Sequence, residues 1–413
     1  MIGCLFFALR PAQSEDWPQH LGPNRNGHSG ETGLAKSWPE TGPKALWTFP
    51  LGIGFAGPAI RDGEVYLLDR VNDEKDVLRC FALDTGQELW NFESPAPGKI
   101  SHNGSRTVPT VDETHIYTVG MLGKFYALSR TTHQAVWQKD LAAEYPPVDG
   151  LTWGYAQSPS LYKNLVIVAP QNESAFVVAF DKETGDVVWK TGGVGVAGYS
   201  TPVIHPLVGM DQVVMVSGGP SGGVMGLSVE DGRQLWRYEG WHCKYPIPHA
   251  TLLPEDRLFI TGEYGAGSAL IQIKRDGDAF TVTELALLPD VESQIHPPLL
   301  IKDHLYLNCN GNRRNDGMAC LDLEGKVLWK TKDTPGAPMF ERGGLIFADG
   351  MILNFDGKTG ILHLIDPSPD GYKELARAQI FDSREMWSPM ALSGGKLVLR
   401  SQNELKCLDL KAP

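Results

Sequence analysis

Eight side chains of this sequence share a local address. Arg106, Tyr155, Gln157, Tyr199, His249, His296, Glu385 and Trp387 each lie one to four residues ahead of a proline, or of Ala250 in the same slot. A guanidinium, imidazoles, phenols, an indole, an amide and a carboxylate gathered at one place are suited to orienting a small polar or carbohydrate-like ligand. The guanidinium forks onto oxygens, and the aromatic rings supply flat faces. The same side chains would equally serve to plug a channel and bond buried carbonyls, and the sequence leaves both readings open.

Other chemistries are less well served. His205, His242, His249 and His296 show neither the His-x-x-x-His spacing nor a neighbouring carboxylate that a metal site on one element needs. The segment from Asn308 to Gly317 is rich in oxygen ligands but lacks the terminal Glu of a calcium loop, and reads as a hairpin loop. The glycine clusters at 192–195 and 217–223 precede no helix, so they lack the helix-terminal N–H groups that cradle phosphate. No Ser-His-Asp grouping can be assembled from local spacing. Cys4, Cys80, Cys243, Cys309, Cys320 and Cys407 are widely spaced and contain no C-x-x-C pair, which fits neither a zinc site nor a disulfide framework.

The elements that must position the eight residues are set by a repeat. In four segments a glycine precedes a tryptophan by four residues: Gly86 and Trp90, Gly185 and Trp189, Gly232 and Trp236, Gly325 and Trp329. A fifth copy ends at Trp137 with His133 in the glycine slot. Asp or Ser caps a turn, Gly supplies a positive φ, and the next strand carries the aromatic, so each copy is a β-hairpin. Upstream, Gly57-Pro58, Val108-Pro109, Ser158-Pro159, Thr201-Pro202, His296-Pro297, Ala337-Pro338 and Ser388-Pro389 mark strand starts, where proline removes no ladder bond, and Ala250 marks an eighth. Apolar runs such as Val65–Leu68 and Leu165–Val168 lie between the markers. Each unit therefore holds four strands, at a mean tryptophan spacing of about 47 residues once Phe280 is allowed to stand in for a missing tryptophan.

Four strands per unit of this length is a propeller blade. The expected fold is all-β: an eight-bladed β-propeller of four-stranded antiparallel blades. Its last unit is one strand short, and residues 44–49, an orphan tryptophan strand, are expected to complete it and close the ring. Blade seven has degenerate turns, with Leu375 expected at its tryptophan position. The tryptophans read as blade-to-blade packing. Ala82, Ala127, Ala179, Gly226, Cys320 and Cys407 line up as a small-residue slot, which makes the last two buried small hydrophobes.

The unit A-L-D-x-x-T-G-x-x-x-W resembles the pyrroloquinoline-quinone-type repeat. That repeat occurs in the eight-bladed quinoprotein dehydrogenases and in the outer-membrane β-barrel assembly lipoprotein of the same fold. The block from Asp16 to Gly27, followed by Gly33-Leu34 and Trp38-Pro39, is similar to the start of a group of exported proteins with such repeats. The resemblance implies the propeller and, as alternatives, a quinone-dependent alcohol or sugar oxidoreductase or an envelope β-barrel assembly factor. In the oxidoreductase alternative Trp387 or Tyr155 would stack on the quinone and Arg106 would pair with one of its carboxylates, beside calcium. The adjacent cysteine pair typical of those enzymes is absent, and the chain is considerably shorter than they are. No catalytic residue, metal or firm cofactor is assigned.

Composition bounds the rest. The 413 residues include 46 Gly and 29 Pro, an excess of turn-formers, and 42% are hydrophobic. A net charge of −12 without a basic run argues against a nucleic-acid binder, and no apolar stretch is long enough for a membrane-spanning helix. Residues 1–14 read as a signal-like segment with small residues at Ala12 and Ser14, although no positive charge precedes its apolar run. Residues 15–43 read as a leader or linker and 44–413 as one propeller domain. The expectation is an exported, periplasmic or secreted monomer, non-catalytic, that binds a small ligand or an envelope protein partner.

Overall fold

The computed structural model describes residues 15–412 apart from 148, 149, 193, 194, 196 and 197. The signal-like segment, Cys4 and part of the 192–195 glycine cluster therefore lie outside the described residues. Thirty-two strands form eight four-stranded antiparallel sheets. In blade one the strands are Ala59–Arg61, Glu64–Val71, Lys75–Ala82 and Glu88–Pro95, in the same order in space as in sequence. Blade eight alone breaks that order. Its outer strand is Lys44–Pro50, which pairs with Glu404–Asp409 and sets Trp47 opposite Cys407, so the two ends of the propeller share a sheet. The remaining strands hold the register that their alternating apolar residues demand, with the inner strands buried on both faces and the outer ones half exposed.

The tryptophans join the blades. Trp47 Nε1 donates to the carbonyl of Leu83 (2.7 Å), Trp137 to Lys182 (3.0 Å), Trp189 to Val229 (3.0 Å) and Trp329 to Ser368 (2.9 Å), each on the turn of the next blade. The repeated glycine is what lets the indole lie there. A Cβ on Gly86, Gly185 or Gly232 would come within 2.5, 2.7 and 2.4 Å of the preceding blade's tryptophan. Where His133 replaces glycine, at φ 58°, its ring instead stacks on Trp90 at 4.4 Å and 12°. Thus glycine serves both the turn and the indole.

A bulge recurs in each outer strand, and the observed pairing moves three assignments at the small-residue and tryptophan positions. Trp90, Trp137, Trp189, Trp236 and Trp329 pair with Cys80, Ala127, Ala179, Gly226 and Cys320, so the small residue of blade one is Cys80, not Ala82. In blade five Ala286, opposite Leu270, holds the tryptophan position; the hairpin runs further out than in other blades and leaves Phe280 opposite Arg275. In blade seven the position belongs to Ala376, because the bulge skips Leu375. The strand Leu345–Ala348 starts well beyond Ala337-Pro338, and Gly343-Gly344 takes the role of the proline step.

The leader is part of the packed structure. Trp17 exchanges backbone bonds with Ile60 (2.9 and 2.8 Å), and Val111 N–H donates to Pro18 O (2.8 Å). The chain then passes the axis, pairs with Phe347 through Gly27 and Ser29 (2.9 Å each), and ends against Leu410 through Ala35 (2.8 Å). Trp17 is fully buried in the core shared by blades one, seven and eight.

Candidate functional site

The lead-in segments before the innermost strands converge on the axis and are laced together by short side chains. Val108 N–H donates to Ser158 Oγ (3.0 Å), Ser158 N–H to Thr201 Oγ1 (3.1 Å), and Thr110 Oγ1 donates to Pro159 O (2.7 Å). Inside this ring lies a cavity of about 210 Å³ with lining from all eight blades and from His20 of the leader.

One wall is a four-membered stack. The Arg106 guanidinium lies 5.0 Å from the Phe55 ring, Phe55 stacks on Trp387 at 5.3 Å and 22°, and the Arg342 guanidinium lies 5.0 Å from Trp387. The two cations are held differently. Arg342 pairs with Glu341 and bonds Gln294 and Asn312. Arg106 bonds only carbonyls, of Trp153 (2.5 Å), Ser101 (2.9 Å) and His102, and has no carboxylate partner among the described residues. Burial lowers its pKa to about 10. Its charge is therefore uncompensated within the protein.

The opposite wall is an aromatic arc. Trp153 meets Tyr199 (5.3 Å) and Tyr245 (4.9 Å) edge to face, and Tyr245 meets Tyr264 (5.5 Å). At the inner end His296 donates Nε2–H to Trp387 O (3.2 Å), which leaves Nδ1 as a buried acceptor without a partner. His20 Nδ1 and Trp387 Nε1 are likewise buried and unpartnered. Burial holds His296 at about 4 and His20 well below the ordinary range, so both rings are neutral at pH 7. The arrangement can grip a flat, polar molecule between aromatic faces, with an anionic group at Arg106.

Of the eight residues singled out from sequence, Arg106, Tyr199, His296 and Trp387 line this cavity. Tyr155 does not: it is buried behind the wall against Gly123, where a Cβ would meet its ring at 2.8 Å. Gln157 is also buried and donates to Gly198 O (2.9 Å), which is the carbonyl-bonding role. His249 lies on the far side of His20, 6.2 Å away, and Glu385 is exposed with φ 55°. For Tyr155 and Gln157 the reason is the period of two. Extended segments show alternate residues to one side, so Ala156 and Ser158 face the axis and Tyr155 and Gln157 face away. Phe55 and Gln294, each three residues ahead of its proline, obey the same rule as Arg106 and were legible in principle. His20, Tyr264, Asn312 and Arg342 arrive from the leader, from long hairpin loops and from a lead-in without proline, for which no local signal existed.

Residues 73–240 match a family model described as outer membrane protein assembly factor BamB. The chain is similar to pyrroloquinoline-quinone-type repeat propellers. This repeat propeller is 23% identical over 295 residues to the outer membrane protein assembly factor BamB of Moranella endobia (strain PCIT), covering 67% of the chain and 70% of that protein. Among solved structures it superposes on BamB from Moraxella catarrhalis with a TM-score of 0.59 at 13% identity, over 89% of this chain and 99% of that one. It superposes on a europium-containing methanol dehydrogenase with a TM-score of 0.68 at 11% identity, over 93% and 89% of the two chains. At such identities the likeness concerns the fold alone.

The repeat propeller's axial lining does not fit a quinone–calcium pair. Calcium takes several oxygen ligands, carboxylates foremost, and the cavity lining includes no Asp or Glu among the described residues. Tyr155, one of the two candidates to stack on a quinone, lies behind the wall.

Proposed function

We propose that this repeat propeller is an exported binding scaffold, which holds a small polar or carbohydrate-like ligand on its axis and performs no chemistry on it. The carrying observation is the Arg106–Phe55–Trp387–Arg342 wall, where an uncompensated cation and aromatic faces meet inside a cavity that every blade helps to build. An acidic ring-shaped molecule such as a uronic acid suits that wall: the ring lies on an aromatic face and the carboxylate completes Arg106. The test is titration of the purified chain with galacturonate, followed by tryptophan fluorescence and calorimetry. Saturable binding that Arg106→Gln weakens at least about tenfold supports the reading, one charge-assisted bond being worth that much. No binding to any member of a sugar-acid and neutral-sugar panel counts against it. Dye reduction on addition of the quinone, calcium and an alcohol would replace it with the oxidoreductase reading.

A second reading rests on the family match: a protein partner in the envelope, as the name of the matched relatives states for them. Leu89, Val136, Val187 and Val188 give the outer strands exposed apolar side chains that would meet such a partner. Affinity capture from an envelope extract that enriches no barrel-assembly protein would remove it.

A further inference from the structure

Arg25 of the leader is only 9% exposed, although Asn24 and Asn26 on either side face solvent. It adopts φ 53°, a left-handed conformation that its asparagine neighbours would enter more easily. Its Nε and Nη2 are buried without a hydrogen-bond partner. These two nitrogens form the side-on edge of the guanidinium, the fork that engages two oxygens of one oxoanion. No carboxylate among the described residues pairs with it, and burial lowers its pKa to about 10. A buried charge in that condition calls for a counter-charge.

Arg25 lines a cavity of about 430 Å³, on the far side of His20 from the axial cavity. Two more unpartnered groups line the same space. Thr251 Oγ1 is buried without a bond. His249 donates Nδ1–H to Ala250 O (3.1 Å), which makes its orphaned Nε2 an acceptor that wants a proton. His205, also in the lining, donates Nε2–H to the same carbonyl (2.9 Å), and His28 completes the titratable groups there. Three donor atoms for oxygen, two of them on the single positive charge, and one acceptor for a proton line this space. From this set we infer that the leader and blades four to six build a second binding site, for a hydrogen-phosphate group, free or as the monoester of a small molecule. Arg25 would take two oxygens, Thr251 a third, and the P–OH would donate to His249 Nε2.

This site is independent of the axial ligand, and its test keeps the two apart. The full chain is titrated calorimetrically at about pH 5.5 with inorganic phosphate, glycerol phosphate and sulfate; at that pH most of each phosphate carries a proton and sulfate does not. Expected are saturable binding of a phosphate and at least roughly tenfold weaker binding of sulfate. Arg25→Met should lose at least about thirtyfold in affinity and Thr251→Val about fivefold, with Arg106→Gln unchanged. Tighter inorganic phosphate assigns a free ion, and tighter glycerol phosphate assigns a phosphorylated metabolite. Absence of saturable phosphate binding by the wild-type chain overturns the site whatever the variants do. So does equal affinity for sulfate, or full affinity in an Arg25→Met protein whose circular dichroism is native.

Discussion

Buried imidazoles and thiols dominate the chemistry of single residues here. His249 and His296 sit at about 3 and about 4 because burial disfavours the imidazolium. Their folded pKa values lie below the free value near 6.5, so the unfolded chain binds protons first as pH falls. The stability that comes from keeping the rings neutral is complete above about pH 6.5 and is lost progressively down to about pH 4. For His296 the loss should reach about 2 kcal/mol by pH 5, at 1.36 kcal/mol per unit. Guanidinium unfolding at pH 7.5 and pH 5 should therefore show a smaller acid drop in His296→Gln than in the wild type; equal drops would contradict the neutral, buried ring. Cys243, Cys309 and Cys407 are pushed up to about 12 and Cys320 to about 11 by burial, and Cys80 is raised by the same cause. A thiol reagent should leave these five unmodified in the native protein and label all of them in denaturant. Cys320 and Cys407 were legible as small buried residues, because their slot faces the tryptophan of the same blade.

At the scale of the element, the hairpin turn carries two duties in one glycine. Gly185 needs φ 74° and leaves room for Trp137, so Gly185→Ala adds left-handed strain to an overlap at 2.7 Å. A loss of about 2–4 kcal/mol is expected. Trp189→Ala should cost about 3–5 kcal/mol, through lost packing and the lost bond to Val229. His133→Gly is the informative contrast. Its ring already stacks on Trp90, so relief of strain and loss of the stack should nearly cancel, within about 1 kcal/mol. Denaturant midpoints check all three, and a clear gain of stability in His133→Gly would show that the turn alone, not the indole beside it, sets the demand for glycine. The spacing of four was visible in the sequence because turn and indole are close along the chain. The bulge was not, since it shows only in which residues pair across strands, so that Ala376 stands where the turns point to Leu375, and the longer hairpin of blade five likewise sets Ala286 where Phe280 is expected.

The whole molecule depends on closure. Lys44–Pro50 covers the edge of Glu404–Asp409, and the leader before it ties blade one to blades seven and eight. A chain that begins at residue 51 would leave that edge unpaired, a template for association with other chains. Size-exclusion chromatography should find oligomers or aggregate in place of the species formed by the full chain; an unchanged, folded profile would mean that the ring holds without its clasp. The turn and strand markers were enough to count eight blades and to foresee this clasp, because both duties are written in adjacent residues.

The sequence by itself determined the repeat, the all-β class, the number of blades and the strand that shuts the ring: each follows from local turn geometry and alternation repeated along the chain. Only the tertiary structure decided which side chains meet on the axis. In blade three that depends on the parity of the lead-in segment, which turns Tyr155 and Gln157 away from the cavity that Arg106 and Tyr199 face. It depends as well on a leader whose hydrogen bonds go to strands distant in sequence, placing His20 beneath one cavity and Arg25 beside another. Contacts of that kind leave no periodic trace, because each occurs once.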